Sequence, residues 1–192
     1  MGLLGRLFGQ RSDNGGGARA WRESWARAVA ALDASAVAHL EAGLRRTPPL
    51  ADDLEIEEEM LDALRHVLEL EREIVASRLP LVDTSHRVVG ADRCHFSAPV
   101  SMPDDPAQPT GRLLLTSSRA VFAGGSRTPA LPWHATREVL QRDRDLFFVR
   151  AGADEGYRFR CNSFSDALCG AAIARHLMRS ARSAHKGRPD LL

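Results

Sequence analysis

The chain has 192 residues, 44% of them hydrophobic and 27% charged, enough for one domain or two small ones and unlike a disordered or fibrous composition. The formal charge of +1 conceals a division: residues 1–86 carry 10 basic and 15 acidic side chains, residues 87–192 carry 16 and 10. No apolar run reaches the roughly 20 residues of a membrane-spanning helix, and Cys94, Cys161 and Cys169 fit neither a disulfide framework nor a zinc motif, so a cytoplasmic setting without metal or cofactor is expected.

Residues 1–17 read as a flexible tail in which Leu3, Leu4, Leu7 and Phe8 form a short apolar foot and residues 14–17, rich in glycine, a tether. A helical region follows over residues 18–80. Trp21, Trp25, Ala28 and Leu32 step by four, three and four, which puts both indoles on one helical face. Residues 35–46 repeat the pattern with Val37, Leu40 and Leu44, and Thr47-Pro48-Pro49 stops it.

The longest predicted helix, residues 52–78, opens on Asp52, Asp53, Glu55, Glu57, Glu58 and Glu59, a cluster suited to the positive end of a helix dipole and read as a solvated cap. Ile56, Met60, Ala63, Val67, Leu70 and Ile74 form a regular seam, and Leu61, Leu64, Leu68 and Val75 an adjoining stripe. Two uses of the seam stay open: packing within a small bundle, or a homodimer through the seam from Ile56 to Ile74.

After Pro80 the apolar period changes from about 3.6 to 2, the signature of sheet. Seven strands are predicted, over residues 87–96, 111–116, 119–123, 128–133, 137–141, 146–150 and 157–161. Pro129 and Pro132 confine the fourth to a sheet edge, because a proline lacks the ladder donor. Ser163, with Asp166 three residues on, caps a last helix whose face Phe164, Ala167, Leu168, Ala171, Ala174 and Met178 should close the sheet. Ile173 and Leu177, on its far side, call for a second partner, expected in the N-terminal helices. The fold class is α+β: a helical region, then a bent antiparallel sheet or partly open barrel over residues 87–182 with a terminal helix, and a tail over residues 183–192.

Gly111, Leu113, Leu115, Thr116, Arg119 and Phe122 occupy the positions of a Gly-x-Leu-x-Leu-Thr-x-x-Arg-x-x-Phe hairpin. With the strand order and the single terminal helix, this stretch resembles the pleckstrin-homology-like superfamily, in particular its GRAM and bacterial PH-like members. The resemblance covers roughly residues 87–182 and implies a non-catalytic module that binds a protein or peptide, or a lipid headgroup. Phosphoinositide binding would require basic residues between the first two strands, and residues 97–110 hold two acids and no base.

Candidate contacts for a partner are Trp133, beside the proline-marked edge, and the arginines Arg112, Arg119, Arg142, Arg144, Arg158 and Arg160. Arg119 has two readings, a clamp on carbonyls of its own turn or a cation for a ligand. Peptide capture would use an exposed strand edge or the groove between that edge and the last helix. The alternative is a peripheral membrane module that joins the apolar foot to a basic face for anionic lipid. Nucleic acid is not expected, since the arginines alternate with Asp143 and Asp145 and no reading helix is present. Nor is a hydrolase: Cys94 and His95, neighbours on a strand, point to opposite faces, read as a buried thiol and an exposed imidazole.

Overall fold

The computed structural model describes residues 14–46, 54–124, 129–152 and 156–186, with side chains from residue 17 and up to residue 184. Residues 1–13, which include the apolar foot, and the Asp52 and Asp53 part of the acidic cluster lie outside the described residues. The chain forms two compact units, Met1–Leu68 and Glu69–Leu192.

The first unit contains α1 (Asn14–Ala31), α2 (Ala36–Arg46) and the first part of α3 (Glu55–Val75). The glycines read as a tether form the first turn of α1. Both indoles face inward, as the spacing requires: Trp21 donates its ring N–H to the Leu40 carbonyl at 2.9 Å and Trp25 to the Met60 carbonyl at 2.6 Å. The acidic cluster is not wholly solvated, because Glu57 is buried and held by Arg22 at 2.6 Å. Met60, Ala63, Val67 and Ile74 are also buried, leaving Ile56 exposed. A dimer through this seam would have to uncover residues the monomer already buries.

The second unit is built on a seven-stranded antiparallel sheet: β1 (Cys94–Ser101), β2 (Thr110–Thr116), β3 (Arg119–Ala123), β4 (Ala130–Pro132), β5 (Thr136–Arg142), β6 (Asp145–Arg150) and β7 (Gly156–Cys161). Their order is β4-β3-β2-β1-β7-β6-β5. β1 meets β7 only at Val100 and Ser101, so the sheet bends between a four-stranded and a three-stranded half. Pro99 is tolerated inside β1 because its missing N–H would face the side on which β7 does not pair. A final helix, α4 (Phe164–Lys186), is capped by the Ser163 hydroxyl, which accepts the Asp166 N–H at 3.0 Å. It lies over β5 and the 3-10 turn Trp133–Ala135. This is the α+β, pleckstrin-homology-like architecture expected.

The first strand differs from the expectation. It starts at Cys94, and residues 87–93 form a 3-10 turn and a tight bend, with Gly90 at φ 63°. The alternation of Val88 with its neighbours mimics a strand, but that glycine conformation breaks the extended run.

Inside the bend of the sheet, aromatic rings join β3, β6 and β7: Phe122 and Phe159 have centroids 5.8 Å apart, Phe148 and Phe159 5.7 Å. Ile173 and Leu177 of α4 are buried as well. Gly111 lets β2 approach the end of β3. A Cβ there would lie 2.5 Å from the Ala123 carbonyl oxygen and 2.8 Å from the Gly124 Cα. Because those neighbours are backbone, Gly111→Ala is expected to destabilise the fold by about 1–3 kcal/mol, read as a lower urea midpoint at unchanged slope.

Candidate functional site: a strap and its groove

Leu113 and Leu115 share one face of β2 and Leu114 takes the other, yet all three are fully buried. The outer face is covered by a strap, residues 79–93. Val89 of the strap clusters with Cys94, Leu114 and Val121, and Val82 and Val88 pack against them. A sheet face that alternation assigns to solvent is therefore a second, smaller core.

Polar side chains clasp the strap to the β2–β3 turn. His95 places Nδ1 2.8 Å from the Pro80 carbonyl oxygen and Nε2 2.9 Å from the Ser117 hydroxyl. Thr116 donates its hydroxyl to Asp92 Oδ2 at 3.0 Å, and Ser118 donates to the same oxygen. Arg119 donates to the Val88 carbonyl at 3.2 Å, so it clamps a carbonyl of the strap, distant in sequence, in place of one in its own turn. The Val82 and Ser117 amides bond the Cys94 and Arg93 carbonyls at 2.8 and 3.0 Å. His95 is thus buried, not exposed, with both ring nitrogens engaged. The Thr-x-x-Arg part of the hairpin motif is a fastening for the strap.

A groove of about 610 Å3 runs along the strap, its wall including Leu81, Val82, Asp83, Arg87, Asp92 and Arg93. Leu81 is 67% exposed. Asp92 is bound by the two hydroxyls, while among the described residues no hydrogen bond or ion pair engages the guanidinium of Arg87 or Arg93. Arg119 Nε is buried beside this wall without an acceptor.

The other predicted contacts are dispersed. Trp133 is fully buried, its ring N–H donating to the Thr116 carbonyl at 2.9 Å, so it is a core residue and not a surface anchor. Arg158 and Arg160 both grip the buried Asp145, with contacts of 2.6 Å and 2.9 Å, and Arg158 also reaches Asp104 at 3.2 Å. Arg144 stacks 4.8 Å over Phe164. Arg112 donates to the Ser97 hydroxyl at 2.9 Å, and Arg142 is exposed on β5. They do not make one free basic face. Asp104, in the loop where a phosphoinositide site would need cations, is a partner of Arg158.

Both sheet edges have carbonyls engaged within the fold. On the β5 edge, α4 supplies the donors: Arg175 Nε bonds the Val139 carbonyl at 3.0 Å, and Arg182 bonds those of Thr136 and Arg137 at 3.0 and 2.7 Å. These guanidiniums reach across between edge and helix, the place expected to take a peptide. On the β4 edge, the bonds Phe122 N to Pro129 O and Trp133 N to Ser118 O turn the amides of Ala130 and Pro132 outward. Pro132 has no N–H, and its carbonyl accepts the Thr136 hydroxyl at 3.0 Å, which leaves Ala130 alone to pair.

The thiols are poor nucleophiles. Burial pushes Cys161 up to about 12 and Cys169 to about 11, and it raises Cys94 as well. Among the described residues no group of three His, Cys, Asp or Glu side chains is placed to hold a metal ion, and no helix is long and apolar enough to cross a membrane.

No family model matches the sequence, and no curated protein matches it. Among solved structures, the chain is similar to the complex of the FERM and C-terminal domains of Drosophila Merlin, at 12% identity and a TM-score of 0.42, over 71% of this chain and 46% of that one. It is similar to the N-terminally truncated linker-DH/PH domains of p115-RhoGEF, at 11% identity and 0.40, over 79% and 55%. It is also similar to a structure of the Vav1 exchange factor that concerns its PH and C1 domains, at 10% and 0.38, over 73% and 40%. The match thus spans about half the length of each of these chains.

Proposed function

We propose that this chain is a non-catalytic binding module that engages a protein or peptide through the strap face of its PH-like unit. The observation that carries this reading is the contrast between closed and open surface. Carbonyls on both strand edges are taken within the fold and the β1–β2 loop turns a carboxylate onto Arg158, whereas the strap groove keeps an exposed leucine beside two arginines that, among the described residues, have no acceptor. The size of that groove falls within the about 300–1,000 Å3 usual for ligand sites. The high thiol pKa values and the burial of His95 argue against hydrolysis. Within the PH-like superfamily, the Gly111 to Phe122 hairpin favours the GRAM-type branch.

The reading is tested by site-specific photo-crosslinking in the native host, with a crosslinker at Ser85 on the strap and, as control, at Arg150 on the far half of the sheet. A discrete protein adduct at position 85 and not at 150 is expected. Lipid adducts at 85, or the same adducts from both positions, would overturn it.

A further inference from the structure

On the strap face, arginines outnumber the carboxylates that line the groove. Arg87 and Arg93 line it, and among the described residues neither guanidinium has an acceptor. Arg119 is fastened to the wall at the Val88 carbonyl, with its Nε lacking an acceptor. Against these three stand two carboxylates, Asp83 and Asp92, and the second already accepts from Thr116 and Ser118. The contrast with β7 is instructive: there Arg158 and Arg160 are answered within the fold by Asp145, so those arginines hold strands together. Among the described residues no comparable carboxylate pairs with Arg87 or Arg93.

The groove is also amphipathic. Leu81 is largely exposed at its wall and Val82 is half-buried beside it, so an occupant gains by covering an aliphatic strip while it brings carboxylates to the guanidiniums. An occupant need not add a strand, because the groove is bounded by side chains and by a strap whose Val82, Val89 and Gly90 amides already bond within the fold. The requirements are therefore a short extended segment, one aliphatic side chain, and carboxylates flanking it.

Resting on the binding role proposed above, we infer that the strap groove recognises a short acidic peptide segment of a partner protein, with an aliphatic residue seated on Leu81 and Val82 and flanking carboxylates paired with Arg87 and Arg93. The guanidinium forks suit carboxylates, which they bind through two parallel N–H donors. Attraction of this kind raises the association rate and weakens as salt rises.

The test uses the full chain and fluorescein-labelled octapeptides that hold one central leucine and zero, two or four glutamates. Fluorescence anisotropy at low salt should show affinity rising with glutamate number and falling as sodium chloride is raised. Arg87→Glu with Arg93→Glu should weaken the four-glutamate peptide by about tenfold or more, and Leu81→Ala should weaken all leucine peptides by a similar factor. Both arginines and Leu81 are exposed, so these variants should keep the parent's far-ultraviolet circular dichroism and urea midpoint. A parallel arm offers phosphatidylcholine vesicles with phosphatidylserine. Binding to these vesicles but to no peptide, or peptide affinity indifferent to the arginine reversal, would overturn the inference. Persistence of the position-85 protein adduct in the Arg87→Glu, Arg93→Glu variant would overturn it while leaving the binding role intact; absence of any position-85 protein adduct in the parent chain would overturn the role itself.

Discussion

Trp133→Ala is expected to lower the unfolding free energy by about 3–5 kcal/mol, the usual cost of a large aromatic removed from a sealed core. The ring is fully buried and sits 6.4 Å from Phe148, which continues through Phe159 to Phe122. Truncation would open a cavity at one end of this aromatic chain. It would also remove the donor to the Thr116 carbonyl, at the turn that fastens the strap. Trp133→Phe keeps most of the volume and loses the N–H, so a cost of about 1–2 kcal/mol is expected. Urea unfolding gives both values. Hydrogen exchange gives the distinguishing readout: amide protection at Val82 and Ser117, whose N–H groups tie the strap to β1 and the β2–β3 turn to the strap, should fall further in both variants than protection in β6 and β7. A Trp133→Ala cost below about 1 kcal/mol would mean that the indole is not a core residue.

That result bears on which features the sequence discloses. Strands β2, β3, β6 and β7 are legible because each alternates over a few residues, and local alternation is what a half-buried strand imposes. The helix cap at Ser163 and the inward indoles of α1 are legible for the same local reason. The strap is not. The local pattern around Val88 points to a strand that does not form, and the packing of Val82, Val88 and Val89 depends on Leu114 and Val121, more than 20 residues away. His95 looks like an exposed imidazole until the strap is laid over it. The basic residues mislead in a related way: Arg158 and Arg160 resemble a cationic face in one dimension, while the β6–β7 register sets Asp145 directly opposite Arg160. A sequence signal for this did exist. Pairing the two predicted strands across their turn brings the acid to the arginines. The bonds from Arg175 and Arg182 to β5 carbonyls leave no local sign, since those residues belong to a helix face.

Asp145→Asn should remove the charge that gathers Arg158 and Arg160. The carboxylate is buried and accepts from both guanidiniums, at 2.6 and 3.0 Å from Arg158 and 2.9 and 3.1 Å from Arg160. Loss of one partner of a fully buried pair costs about 3–5 kcal/mol; here the Arg160 side chain is 54% exposed, so water can take over part of its solvation and about 2–3 kcal/mol is expected. The same pairing fixes a pH dependence. Burial pushes the Asp145 pKa up, but hydrogen bonds from Arg160 and Arg158, together with their charges, outweigh it and hold the group below its ordinary 3.8. As pH falls, the unfolded chain therefore takes up this proton before the folded one does. The contribution of Asp145 is complete above the unfolded carboxylate range and declines as the pH drops through about 4 toward the depressed folded value. Asparagine has no such step. Urea midpoints measured from pH 6 down to pH 2.5 should thus show the parent well above Asp145→Asn at pH 6, with the gap narrowing below pH 4. A gap constant across that range would show that the carboxylate's charge contributes nothing to holding β6 and β7 together.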